Sequence, residues 1–180
     1  MKFYSEGKRS FVYKQGAVVV KVEKPNIQAV ARIENEAKWL QVLNKKGIGP
    51  IFYHLEENEL YMEFIDGVLL LEYVKGVSKK KTVEVLLDLL EQCRVMDLLL
   101  VSKFEMHHPL KHVIVREGKP VQIDFERCKT MLKPKNVTQL CQFYTRYFGV
   151  KGLQEIAKVY KGEYEEKEYR KIRQCVINTI

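Results

Sequence analysis

Residues Phe104–Glu126 read FEMHHPLKHVIVREGKPVQIDFE. They hold three of the chain's four histidines and an aspartate between apolar neighbours, Ile123-Asp124-Phe125. The runs "HVIV" and "VQIDF" are short and apolar, and "REGKP" separates them as a turn, so the segment reads as two strands preceded by a histidine-rich loop. Two chemistries compete for it. His108 and His112 are i,i+4 neighbours if helical, a spacing that suits zinc. Against zinc, Pro109 stands between them, "HVIV" reads as a strand start, and no cysteine pair completes a recurrent ligand spacing. The other chemistry centres on Asp124, a carboxylate at the end of an apolar strand.

Upstream of this segment the chain reads as strands around one helix. "RSFVYKQG" and "AVVVKVE" flank a turn at Gln15-Gly16, and Gly7-Lys8-Arg9-Ser10 forms a small loop before them. A helix is expected over Ile27 to Lys46, ended by "KKGIGP", where Gly47 can cap and Pro50 forbids continuation. "IFYHLE" and "ELYMEFI" follow as a hairpin across Glu57-Asn58. After Asp66-Gly67 the character changes to helix. "SKKKTVEVLLDLLEQCRVMDLLLV" has dense leucines at helical period, with Ser78 or Thr82 as its start. Beyond the Asp124 strand, "NVTQLCQFYTRYFG", "LQEIAKVYK" and "YEEKEYRKIRQCVINTI" read as helices, the last with an i,i+4 pair, Glu166 and Arg170. The expected organisation is α+β, with a β-rich lobe over 1–66 and a helical lobe over 67–180.

The bulk numbers fit this. The chain has 180 residues, enough for two small lobes around one cleft. At 46% hydrophobic and 30% charged it has the profile of a folded protein rather than a disordered one. A net charge of +8 favours anionic partners: nucleotide, nucleic acid or an acidic protein. No apolar run reaches the roughly 18–20 residues of a membrane span, and the polar start "MKFYSEGKRS" has no signal-peptide core. A cytoplasmic protein without a membrane partner is expected. Cys93, Cys128, Cys141 and Cys175 are scattered and read as reduced thiols.

Two charges stand where charges are costly. Lys21 lies in "VVVKVE", inside a run of valines; it needs a partner there, unless the strand is an edge from which it reaches water. In the helix, Ala29, Ile33, Leu40 and Leu43 define an apolar stripe, and the position within it at 36 is a glutamate, while Glu34, Asn35 and Lys38 face outward. An inward carboxylate needs a cation or several donors. A strand lysine and a helix glutamate, both facing the core, satisfy each other. That is the arrangement that holds the phosphate-binding lysine of a protein kinase.

On these residues the chain resembles the atypical, minimal protein kinases of the archaeal and bacterial RIO/Bud32-like group, over roughly residues 5–145. "EGKRSFVYK" stands where a kinase covers the nucleotide, implicating Gly7, Lys8 and Ser10. "VVVK" resembles the strand of the catalytic lysine, Lys21, and "NEAKWL" the helix segment of its partner, Glu36. "YMEFIDG" resembles the hinge, with Met62 in the gatekeeper place and Glu63 to Ile65 offering backbone groups to adenine. "VQIDFE" is similar to the metal-binding motif Asp-Phe-Gly, here with Asp124, and the separation of His112 from Asp124 is close to the usual one between catalytic loop and metal strand.

The resemblance implies a kinase-like two-lobed fold and an ATP-dependent phosphotransferase, a serine/threonine protein kinase using Mg²⁺ or Mn²⁺. Three departures qualify it. The nucleotide loop has one glycine, Gly7, so Lys8, Arg9 and Ser10 would serve phosphate instead. In the catalytic loop His112 takes the place of the metal-binding Asn and His107 that of the Asp, so Glu105 or His107 would be the base, with Lys111 supporting the transferring phosphate. Glu126 replaces a glycine, which reads as a fixed loop or as an added ligand for metal or lysine. The alternative function is a nucleotide-binding pseudokinase acting through a partner protein or an RNA-associated complex. A third is RNA binding through "KRS", "SKKK" and "YRKIR".

Overall fold

In the computed structural model the described residues are 1–7, 9–24 and 31–180. Lys8, Ala29 and the expected helix start at Ile27 lie outside them. The chain divides into two compact units. The first is Met1–Asp66 with Val121–Cys128, and the second is Gly67–Pro120 with Lys129–Ile180.

The first unit is built on five antiparallel strands: β1 (Lys2–Glu6), β2 (Ser10–Gln15), β3 (Val18–Glu23), β4 (Phe52–Glu56) and β5 (Glu59–Glu63), in the order β1-β2-β3-β5-β4. The valines of β3 favour the extended backbone, where β-branched side chains pack well. One helix, α1 (Arg32–Asn44), packs against β3, β4 and β5. Ile33, Ala37, Leu40 and Leu43 on its inner face join Val20, Leu60 and Phe125 in the core. The helix ends as its sequence dictates. Gly47 takes a left-handed φ of 67°, its N–H bonds to the Asn44 carbonyl, and Ile48 N–H bonds back to Leu43. Gly49 is required for a different reason. A Cβ there would meet Phe125 Cε2 at 2.8 Å, so only glycine lets that ring seat against α1.

Residues 121–128 group with the first unit, across the division expected at 66/67. They begin with Val121-Gln122, the end of the strand that starts at Lys119, and Phe125 among them is fully buried in the core of the first unit.

In the second unit β6 (Val68–Leu69) and α2 (Leu70–Lys75) lead to the long α3 (Lys79–Leu98), whose N-terminus Ser78 caps through its Oγ. Next come β7 (Val101–Ser102), a 3₁₀ turn at Pro109–Lys111 and β8 (Val113–Arg116). A tight turn at Glu117-Gly118, both at positive φ, joins β8 to β9 (Lys119–Gln122), and β6-β8-β9 make a three-stranded sheet. β10 (Lys129–Thr130) pairs with β7, and α4 (Asn136–Phe148), α5 (Leu153–Glu163) and α6 (Glu166–Thr179) complete the unit. Its core is made where α3 meets α4 and α6, with Leu86, Leu89, Leu90, Phe143, Tyr144, Tyr160 and Ile172 fully buried. The expected Glu166–Arg170 pair is present at 3.0 Å. All four cysteines are free thiols.

Candidate functional site

Lys21 is in the middle strand of the five, opposite Val12 on β2 and Leu60 on β5, so it cannot escape sideways as an edge lysine would. It is 8% exposed. Its ammonium donates to Glu36 Oε2 at 2.6 Å and to Asp124 Oδ1 at 3.1 Å. Glu36, 1% exposed, has a second donor: the Phe125 N–H reaches its Oε1 at 3.2 Å. Lys21, Glu36 and Asp124, each singled out by sequence, thus meet in one buried cluster.

The charge balance of this cluster matters. Burial alone would pull the Lys21 ammonium down, but the Glu36 and Asp124 carboxylates outweigh it and hold the group above the ordinary lysine range. Burial likewise pushes Glu36 up, against the pull of Lys21 and the Phe125 N–H. The short contact and two donors make the ion pair the occupied state. Within this trio one ammonium faces two carboxylates, so a net negative charge remains. Of the two carboxylates Asp124 is the more accessible, its side chain 36% exposed. Asp124 also has φ 67°, a left-handed conformation that non-glycine residues rarely hold unless neighbours enforce it. The burial of Phe125 and its bond to Glu36 supply that enforcement.

The residues after Asp124 are stitched to α1. Asn35 Nδ2 donates to the Glu126 carbonyl at 2.8 Å and to the Cys128 carbonyl at 3.0 Å, and Trp39 Nε1 also reaches Cys128 O, at 2.8 Å. Arg32 lies 3.4 Å from the Glu126 carbonyl. Asn35, read from the helical wheel as outward, is half-buried because its amide spans two carbonyls of this segment. These bonds tie the segment to α1. The Glu126 carboxylate has an arginine partner, Arg9, at 3.0 Å.

The remaining expected residues fall in two groups. In the first unit, Gly7 N–H bonds to Ser10 O and closes the turn before β2, and Ser10 is buried. Met62 lies on β5 opposite Val19. The N–H groups of Glu63 and Phe64 are spent on Ile51 O and Ala17 O, and Ile65 is buried. In the second unit, Glu105, His107, Lys111 and His112 share the loop before β8. His107 and Lys111 are exposed, and Glu105 and His112 are half-buried. His107 Nδ1 faces the Phe104 carbonyl at 3.1 Å. No group of three or more His, Cys, Asp or Glu side chains gathers around a metal-sized point among the described residues.

Two features of this loop escaped the sequence. Lys103 is fully buried, and its N–H is held by Asn136 Oδ1 at 2.8 Å. Asn136 is itself held by Asp97, whose carboxylate accepts from Asn136 N–H, Asn136 Nδ2 and Val137 N–H. Residues far apart in sequence thus anchor the start of the loop.

No protein-family model matches the chain, and no curated protein matches its sequence. Solved structures do match. The chain is similar to WbdD in a co-crystal with the kinase inhibitor LY294002 (TM-score 0.66, 18% identity), covering 98% of this chain and 45% of that one. It is similar to the Rio2 kinase from Chaetomium thermophilum (TM-score 0.60, 12% identity, 99% and 72% covered). The fold is kinase-like. It is also similar to the aminoglycoside phosphotransferase APH(2")-IIa in a streptomycin–ATP ternary complex (TM-score 0.56, 12% identity, 99% and 90% covered). The expected α+β class is the one observed. The chain spans less than half the length of WbdD. No helix among the described residues is long and apolar enough to cross a membrane.

Proposed function

We propose that the chain is an ATP-dependent phosphotransferase directed at a serine or threonine hydroxyl of a protein. One observation carries this reading: the buried Lys21 shared between Glu36 and Asp124. A lysine held at fixed position by a buried glutamate is a preorganised cation for the inner phosphates of a nucleotide. The backbone of Glu63 to Ile65 is assigned to adenine, with Met62 in the gatekeeper place.

Asp124 suits Mg²⁺ or Mn²⁺, since it brings a carboxylate oxygen and part exposure to a hard cation. His112 would be the weaker partner for Mg²⁺, because the cation prefers oxygen to imidazole nitrogen. A bound Mg²⁺ would neutralise charge on the phosphates. For the base, Glu105 is preferred to His107. Its carboxyl has an oxygen shut away from water, whereas the His107 ring is exposed and turned to its own loop. Lys111, exposed on the same loop, would support the transferring phosphate.

The replacement of both catalytic-loop residues by histidine favours a second reading, a nucleotide-binding pseudokinase that works through a partner. Labelled-ATP transfer separates them. With Mg²⁺ or Mn²⁺, label should appear in the wild-type chain or an added protein, and Lys21→Ala and Asp124→Ala should abolish it. Glu105→Gln should keep ATP binding and lose about a hundredfold or more in transfer. Equal labelling in all four proteins would sink the kinase reading, and ATP binding without any transfer would establish the pseudokinase.

A further inference from the structure

Arg9 and Glu126 form a contact the proposed reaction has not used. Arg9 is in the single-glycine turn before β2, where its own carbonyl is tied down by the Lys24 N–H at 2.9 Å. Its guanidinium meets Glu126 Oε1 at 3.0 Å, with the two side chains 29% and 13% exposed. The far end of this bridge is rigid, since Asn35 grips the Glu126 backbone carbonyl. Two carboxylates of one short segment, Asp124 and Glu126, therefore each meet a cation, Lys21 from β3 and Arg9 from the turn before β2.

Three considerations give this arrangement a purpose. A loop with one glycine cannot wrap phosphates with successive backbone N–H groups. Lys21 is a single point charge already shared by two carboxylates. A guanidinium has five N–H donors in a planar fork matched to phosphate, and the bond to Glu126 takes one of them.

We propose that Arg9 is a phosphate-binding residue and Glu126 its positioning residue, together replacing the glycine-rich loop and selecting nucleoside triphosphates over shorter nucleotides. A phosphate chain running along residues 124–126 meets Lys21 with its inner groups and Arg9 with its outermost. This rests on the nucleotide-site reading above and adds the residue that recognises the terminal phosphate.

The test is a ligand ladder on the full chain: adenosine, AMP, ADP and ATP with Mg²⁺, titrated calorimetrically against wild type, Arg9→Gln, Arg9→Lys, Glu126→Gln and Lys21→Ala. Circular dichroism and melting would check that each is folded. In Arg9→Gln the gain in affinity from ADP to ATP should shrink about tenfold or more, the worth of a charge-assisted bond, while adenosine and AMP bind as in wild type. Arg9→Lys should keep part of that gain. Glu126→Gln should lose part of it with adenosine unchanged. An equal loss across the whole ladder in Arg9→Gln would mean a purely structural bridge, and an unchanged ladder would mean no role; either overturns the proposal. If Lys21→Ala still abolishes ATP binding in those cases, the nucleotide site itself stands. A folded wild type that binds none of the four ligands overturns both readings.

Discussion

At the scale of single residues, Lys21 is the centre of gravity. It stood out in sequence because a lysine among valines must find compensation, and Glu36 because a carboxylate interrupted an apolar helical stripe. Breaking a buried pair by removing one partner leaves an uncompensated charge and costs about 3–5 kcal/mol, whereas replacing both with apolar groups of similar size is often neutral. Glu36→Ala should therefore lower stability by an amount in that range, read from urea denaturation. The double variant Lys21→Met with Glu36→Leu should recover most of it while abolishing nucleotide binding. Asn35 and Trp39 were not legible as site-supporting residues, and Arg9 was legible as a phosphate contact but not as the partner of Glu126. An arginine in a polar turn and an asparagine on a helix are ordinary surface residues by composition, and their partners lie about ninety or more positions away along the chain.

At the scale of elements, α3 and α4 are joined by a polar contact rather than by apolar packing alone. Asp97, near the end of α3, accepts the first two N–H groups of α4 and so caps that helix from another element, a carboxylate at a helix N-terminus. Tyr160 Oη also reaches it, at 3.3 Å. Burial, opposed by these bonds, pushes Asp97 up to about 6 from an ordinary value of 3.8. The folded state then holds the proton more tightly than the unfolded chain. Its contribution is fully present below about 3.8 and is lost as pH rises through 6. Between pH 4 and 7 the wild type should lose up to about 3 kcal/mol relative to Asp97→Asn, measured as diverging urea midpoints. The helices of this unit were readable because leucine and aromatic periodicity marks them. β1 was not, since every residue in it is exposed and no apolar alternation distinguishes it from a polar terminus. The two-residue strands β6, β7 and β10 are too short to carry a period at all.

At the scale of the whole molecule, the net charge of +8 is a property no single site explains. Its lysines are dispersed among glutamates rather than gathered into one recognition motif, so the expected nucleic-acid binding is weak and non-specific. A short single-stranded RNA should bind at low salt, with a steep negative slope of log affinity against log salt, and be weaker than about 1 μM at physiological salt. Tighter binding under those conditions, by fluorescence anisotropy, would make RNA recognition a function in its own right. By itself the sequence determined the α+β class, the longer strands and helices, and the need for Lys21 and Glu36 to find each other, because periodicity and the cost of burying charge act locally and are written residue by residue. Only the tertiary structure decided that residues 121–128 belong with the first unit and that Arg9 meets Glu126. It also decided that Asn35 and Trp39 grip the segment after Asp124 and that Asp97 caps α4. These are pairings between distant parts of the chain, chosen by which buried donors and apolar faces must be satisfied together, and no local pattern encodes that choice.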